Sequence, residues 1–194
     1  MLTSVGNATA EPLEIGNTIE PYAVIESIVL PDVTNDGIAD FGILYLDDEN
    51  NKLVFQIFDG VNLNHGAVIT WANIYIEPSL HVLPDLNGNN VPEIGVFGVR
   101  TDGDNAGKPR MLVNDLQTGE ISKVYDWPAN WTDVKALVLE DINGDNVVDI
   151  AIQGIFEEGA RPQLVIRDGH TSESFATYSY PDLLSESEYF EIKS

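Results

Sequence analysis

Nine residues recur three times in this chain, and their spacing constrains the fold more than any other feature. The copies are Asp32-Val33-Thr34-Asn35-Asp36-Gly37-Ile38-Ala39-Asp40, Asp85-Leu86-Asn87-Gly88-Asn89-Asn90-Val91-Pro92-Glu93 and Asp141-Ile142-Asn143-Gly144-Asp145-Asn146-Val147-Val148-Asp149. Their first acids lie 53 (85 − 32) and 56 (141 − 85) residues apart. A second landmark, an apolar run ending in Asp59, Asp115 and Asp168, recurs at 56 (115 − 59) and 53 (168 − 115). Two landmarks in step mean one supersecondary unit laid down three times.

The nine residues carry oxygen-bearing side chains at positions 1, 3, 5 and 9. These are Asp32, Thr34, Asp36 and Asp40, then Asp85, Asn87, Asn89 and Glu93, then Asp141, Asn143, Asp145 and Asp149. Position 6 is Gly37, Asn90 or Asn146, residue types that tolerate a left-handed backbone. Position 7 is Ile38, Val91 or Val147, which offers only a backbone carbonyl. Six to eight oxygens from a tight loop suit a hard cation, so each loop reads as a Ca²⁺ site. Asn-Gly and Asp-Gly clusters also make plain hairpin turns. A turn, however, needs no acid at positions 1 and 9. An EF-hand is excluded, because position 12 is Ile43, Val96 or Ile152 where a bidentate Glu is required. Ligand charge ranks the loops third, first, second, for two to three calcium sites with the second loop the one that could stay empty.

Strand signals follow the same order in each unit. A first strand precedes the loop (Ser27 to Leu30, Leu80 to Leu83, Ala136 to Leu139) and a second leaves it (Phe41 to Leu46, Ile94 to Val99, Ile150 to Ile155). Both read as buried on two faces. After an acidic hairpin come a third strand (Leu53 to Phe58, Met111 to Asn114, Gln163 to Arg167) and a more polar fourth (Ala67 to Ile74, Ile121 to Trp127, Ser174 to Tyr180). The expected fold is all-β: three four-stranded antiparallel blades of a propeller-like array. Residues 1–20 form a lead-in, the units span 21–77, 78–131 and 132–181, and 182–194 open a fourth repeat or supply a closing strand. Trp71 and Trp127 are expected to pack between units.

These units resemble the FG-GAP/VCBS-type repeats of bacterial surface proteins, relatives of the integrin α-subunit propeller blades. The resemblance rests on an Asp-x-Asn-Gly-Asp-Gly-x-x-Asp loop between the first two strands and covers Tyr22 to Pro181. The third copy departs from it only at Asn146, the first at Thr34 and Asn35, the second at Asn89, Asn90 and Glu93. It implies calcium-loaded loops, an extracellular or cell-surface location, and a role in adhesion or in binding a glycan or protein. A calcium-rigidified spacer and an accessory domain of a polysaccharide-acting enzyme are the alternatives. Propellers close with about four to eight blades. Three units therefore imply further blades or a second copy making a six-bladed dimer. Ile192-Lys193-Ser194 resembles Ile25-Glu26-Ser27, as if a fourth unit began there.

Charge narrows the partners. The 194 residues hold 32 acids and nine bases, a formal net charge of −23, which repels nucleic acid and anionic membranes. No apolar run is long enough to span a bilayer, and Met1 to Pro21 lack signal-peptide segments. Without cysteine there is no disulfide, thiol nucleophile or thiolate metal site. No catalytic constellation is legible: the serines lack a Gly-x-Ser-x-Gly elbow and the three histidines lack metal spacing. The chain reads as non-catalytic. His81 reads as a packed histidine of an inner strand, and Tyr45, Tyr75, Trp131 and Tyr189 as aromatics that could meet a ligand.

Overall fold

The computed structural model describes residues 23–157 and 161–180. Twelve strands form three four-stranded antiparallel sheets, each a simple meander in chain order. The first sheet is β1 (Ala23–Leu30), β2 (Asp40–Asp47), β3 (Lys52–Phe58) and β4 (His65–Ala72). The second is β5 (Tyr75–Leu83), β6 (Glu93–Arg100), β7 (Pro109–Asp115) and β8 (Ile121–Asp126). The third is β9 (Trp131–Leu139), β10 (Asp149–Phe156), β11 (Pro162–Arg167) and β12 (Ser174–Ser179). A 3₁₀ turn at Gly103–Asn105 is the one helical element among the described residues. Residues 1–22 and 181–194, with Tyr189 and the Ile192-Lys193-Ser194 similarity, lie outside the described residues.

The strands alternate faces, and the alternation stacks the sheets. On β6, Ile94 and Val96 face the first sheet and join Leu44, Phe55, Ile69 and Trp71 in one core. Phe97, with Met111 and Val113 of β7, faces the third sheet and joins Ile150 and Ile152 in a second core. The middle sheet is thus buried on both faces, which is why β6 reads as an unbroken apolar run. The tryptophans sit where expected. Trp71 donates its indole N–H to Asn114 Oδ1 of the neighbouring sheet at 2.9 Å. Trp127 packs edge-on to Phe97, with the Arg167 guanidinium of the third sheet 5.4 Å from its ring centre.

First strands are less buried than the sequence suggests. Seven of the eight residues of β1 are exposed or half-buried. In a meander the first strand is a sheet edge, so its apolar residues lack the second neighbour that covers β2 and β6. Consecutive edges nevertheless lie together: β1 approaches β5, and β5 approaches β9. Glu26 Oε2 accepts the Leu80 N–H across the first of these seams at 2.7 Å. A register break recurs in each edge pair, at Val24/Glu26, at Ile76/Ser79 and opposite Gln153/Ile155, so the bulge repeats with the unit.

Outer strands tie the sheets on the far side. Tyr125 of β8 donates its hydroxyl to the Gly169 carbonyl at 2.9 Å, in a fully buried contact. Tyr125→Phe leaves that carbonyl without its partner and is expected to cost about 1–2 kcal/mol, read as a lower urea midpoint at unchanged slope.

Candidate metal centre

Each nine-residue loop joins the first two strands of its sheet, and all three fold by one wiring scheme. Position 1 accepts loop N–H groups. Asp141 takes those of Gly144 and Asn146 at 2.6 and 2.7 Å, and Asp85 takes those of Gly88 and Asn90 at the same distances. Asp32 accepts from Asp36 and Gly37 at 3.1 and 2.7 Å. Position 5 (Asp36, Asn89, Asp145) accepts the N–H of position 7 (Ile38, Val91, Val147) at 2.8 Å in every copy. Position 3 accepts from position 5 in two copies, through Asn87 Oδ1 at 3.0 Å and Asn143 Oδ1 at 2.9 Å. Thr34 instead turns its hydroxyl to Asp40 Oδ1 at 3.3 Å. The side-chain oxygens of positions 1 and 5 in all three copies, and of position 3 in the second and third, are thereby wrapped around one short turn.

Two left-handed residues make that wrap possible. Position 6 has the expected positive φ, at 90° for Gly37, 65° for Asn90 and 69° for Asn146. Position 4 shares it, at 62° for Asn35 and 86° for both Gly88 and Gly144. Sequence reading singled out only position 6, although an all-Asn/Gly column at position 4 carried the same signal.

Position 9 is buried in all three copies (Asp40, Glu93, Asp149) and closes the loop by accepting the N–H of position 2. Asp40 and Asp149 also accept an N–H from the turn after the third strand, from Gly60 at 3.0 Å and Gly169 at 3.1 Å. Burial pushes the Asp40 carboxyl up, but the Gly60, Val33 and Thr34 groups together leave it below the usual range. At Asp141 the N–H of Asn146 leads in lowering the carboxyl. Ionised acids held by backbone N–H groups, with lone pairs to spare, are a fitting donor set for a hard cation.

The second loop departs from this pattern. Leu116 replaces the glycine and donates its N–H to the Pro92 carbonyl at 3.4 Å. Glu93 Oε2 holds the Leu86 N–H at 2.9 Å, while Oε1 is buried with no partner. Burial, helped by Asp85 and Asp115, pushes the Glu93 carboxyl up to about 7. An orphaned buried carboxylate oxygen beside other acids fits a cation-binding loop. Among the described residues no three carboxylate, histidine or cysteine groups already stand as a preformed metal cluster. Asn87, Asn89, Asn143, Thr34 and the carbonyls of Ile38, Val91 and Val147 would be neutral members of the ligand sets.

The other sequence candidates are placed differently. Tyr75 and Trp131 pack in the two inter-sheet cores, because each begins the edge strand that packs between sheets, and Trp131 also lines an open cavity with Asn130, Thr132 and Glu157. Tyr45 is half-buried on β2. His81 is packed against Phe97, contacts Ser79 Oγ at 3.2 Å, and is held down to about 4 by burial. His65 stacks at a tilt on Phe58. In sequence Asp59, Asp115 and Asp168 are only landmarks of the repeat, whereas in the fold Asp115 and Asp168 reach the position-3 asparagine amides at 2.7 and 2.9 Å. Compared with known proteins, the chain matches no protein-family model and no curated protein.

Proposed function

We propose that the chain is a calcium-binding, non-catalytic β-repeat module of an extracellular or cell-surface protein, acting in adhesion or in recognition of a glycan or protein ligand. The observation that carries this reading is the common loop wiring: oxygens of positions 1 and 5 wrapped on one turn in every copy, joined by position 3 in two of them, with a buried acid at position 9. When bound, calcium would neutralise carboxylates that otherwise repel one another and would lock the turn between the first two strands of each sheet. The three sheets are blades of a propeller-like ring completed by further repeats or a second copy. Support for closure comes from the outer face of the first sheet, where Phe41 stacks on Phe58 at 5.1 Å and Val29 and Val68 are exposed. The rigid-spacer reading gains from the burial of Tyr75 in the core between the first two sheets, which takes one aromatic away from a ligand-facing surface.

Thermal melts with chelator and with millimolar calcium test the proposal. Calcium at ten times the dissociation constant stabilises by about 1.4 kcal/mol for each filled loop, so the melting temperature is expected to rise with calcium and to fall back with chelator. An unchanged melting temperature would make the loops plain turns. Glycan-array binding that needs calcium separates recognition from the spacer role.

A further inference from the structure

The nonapeptide undersupplies its second copy with charge, since positions 3 and 5 are the neutral Asn87 and Asn89 and only Asp85 and Glu93 are acids. Two independent observations meet at this loop. Glu93 is completely buried and its Oε1 has no hydrogen-bond partner. Asp115 lies outside the nonapeptide, at the end of β7, and is also buried. Its Oδ2 accepts both loop amides, Asn87 Nδ2 at 2.7 Å and Asn89 Nδ2 at 2.5 Å.

We propose that Asp115 is a positioning residue of the second loop's cation site, turning both asparagine oxygens into the loop and adding a negative charge behind the two neutral ligands at positions 3 and 5. This rests on the calcium reading above and adds to it a residue from a different turn. An amide has a donor end and an acceptor end. With each Nδ2 held outward by Asp115, each Oδ1 faces the loop backbone: Asn87 Oδ1 accepts the Asn89 N–H, and Asn89 Oδ1 accepts the Val91 N–H. Those are the contacts that Asn143 and Asp145 make in the third loop. Asp115 does not swing freely, because its Oδ1 caps its own turn through the N–H groups of Gln117 and Thr118 at 3.0 and 2.6 Å. Asp115 thus adds its charge behind a loop that has only Asp85 and Glu93, whereas its counterpart Asp168, on the Asn143 amide, stands behind a loop already supplied with Asp141, Asp145 and Asp149. The orphaned Glu93 oxygen gains a partner in the cation.

The first repeat is a built-in control. There Asp59, the counterpart of Asp115, spends Oδ2 on the Asn62 amide of its own turn at 3.0 Å, and position 3 is Thr34, which has no amide to orient.

The test is calcium titration of the whole chain, by calorimetry and at the amide resonances of Gly88 and Gly144, one in each of two loops. Asp115→Asn keeps an oxygen for the turn. It is expected to weaken the Gly88 site about 10- to 100-fold, the usual effect of losing a partner that orients ligands. The Gly144 site is expected to keep its affinity while the melting temperature in chelator falls, since Oδ2 gives up two buried amide bonds, and Asp59→Asn is expected to leave every affinity alone. Adding Asn89→Asp to Asp115→Asn is expected to restore part of the lost affinity by returning the charge. Wild-type affinity at the Gly88 site of Asp115→Asn would overturn the assignment while leaving the calcium reading intact. So would a variant whose only change is a lower melting temperature in chelator, because Asp115 would then be a turn cap. No calcium binding by the wild-type chain would remove both.

Discussion

Gly169→Ala is expected to destabilise the fold by roughly 3–5 kcal/mol, a large effect for one added methyl. A Cβ at Gly169 would lie 1.8 Å from the Val148 carbonyl oxygen, and one at Gly60 would lie 2.0 Å from that of Ala39. Backbone meets backbone at both places, so no side-chain rotation relieves the clash. The turn after the third strand must move away from the nonapeptide loop. That movement withdraws the Gly169 N–H from Asp149, which is fully buried, and shifts the carbonyl that Tyr125 holds. Overpacking contributes about 1–3 kcal/mol and an unpartnered buried acceptor a similar amount. Gly60→Ala should follow the same course at Asp40, short of the Tyr125 component. In the second repeat Leu116 stands at this place, its N–H goes to the Pro92 carbonyl and Glu93 Oε1 is left without the bond. Urea denaturation at fixed calcium measures the cost. A loss below 1 kcal/mol in Gly169→Ala would mean that the close approach is not part of the folded state.

The glycines show what a sequence discloses and what it withholds. Strand order and loop position were legible because each depends on local periodicity and turn chemistry: β2, β6 and β10 begin at position 9 of their loops, at Asp40, Glu93 and Asp149. Face-by-face burial of β6 was legible because a strand covered on both sides has no polar alternate. Exposure of β1 was not, since an edge is defined by which neighbour is missing, and that is a property of topology. Trp131 and Tyr75 are ambiguous in sequence for the same reason, because an aromatic at a strand start is equally suited to a rim and to an inter-sheet seam. The reach of Asp115 and Asp168 onto the loop asparagines links residues 28 and 25 positions apart, and nothing local in sequence reports it. The repeat did hold a clue, since both landmarks recur in step, but recurrence alone does not say that two landmarks touch.

The largest pH effect should be hidden in the wild-type chain and uncovered by single substitutions. Glu93 and His81 lie in adjacent elements of the second sheet and are pushed in opposite directions. Burial, with Asp85 and Asp115, moves the Glu93 carboxyl from 4.5 up to about 7, whereas burial moves His81 from 6.5 down to about 4. Between pH 4.5 and 7 the folded chain keeps a proton on Glu93 that the unfolded chain has released, so this group makes stability fall as pH rises. Between pH 4 and 6.5 the unfolded chain carries a proton on His81 that the folded chain refuses, so this group makes stability rise with pH. Their windows overlap from 4.5 to 6.5, and there the slopes cancel. In chelator the wild-type melting temperature should therefore be nearly flat across that interval and decline only from 6.5 to 7. Asp40, Asp85 and Asp141, all lowered, withdraw their support only as pH falls below the ordinary aspartate value of 3.8. Glu93→Gln removes the falling component, leaving a profile that climbs from pH 4 to 6.5 and then stays level. His81→Gln leaves the falling component alone, with stability dropping from pH 4.5 to 7. Each uncovered slope should span on the order of 2 kcal/mol, discounted for the water that still reaches both groups. A flat profile in His81→Gln would show that the Glu93 carboxyl is not raised and that its unpartnered oxygen is satisfied in solution, and a flat profile in Glu93→Gln would show that His81 is not lowered. Calcium adds a second check, since a cation held by Glu93 selects the ionised form and should flatten the falling limb of His81→Gln while leaving the rising limb of Glu93→Gln in place.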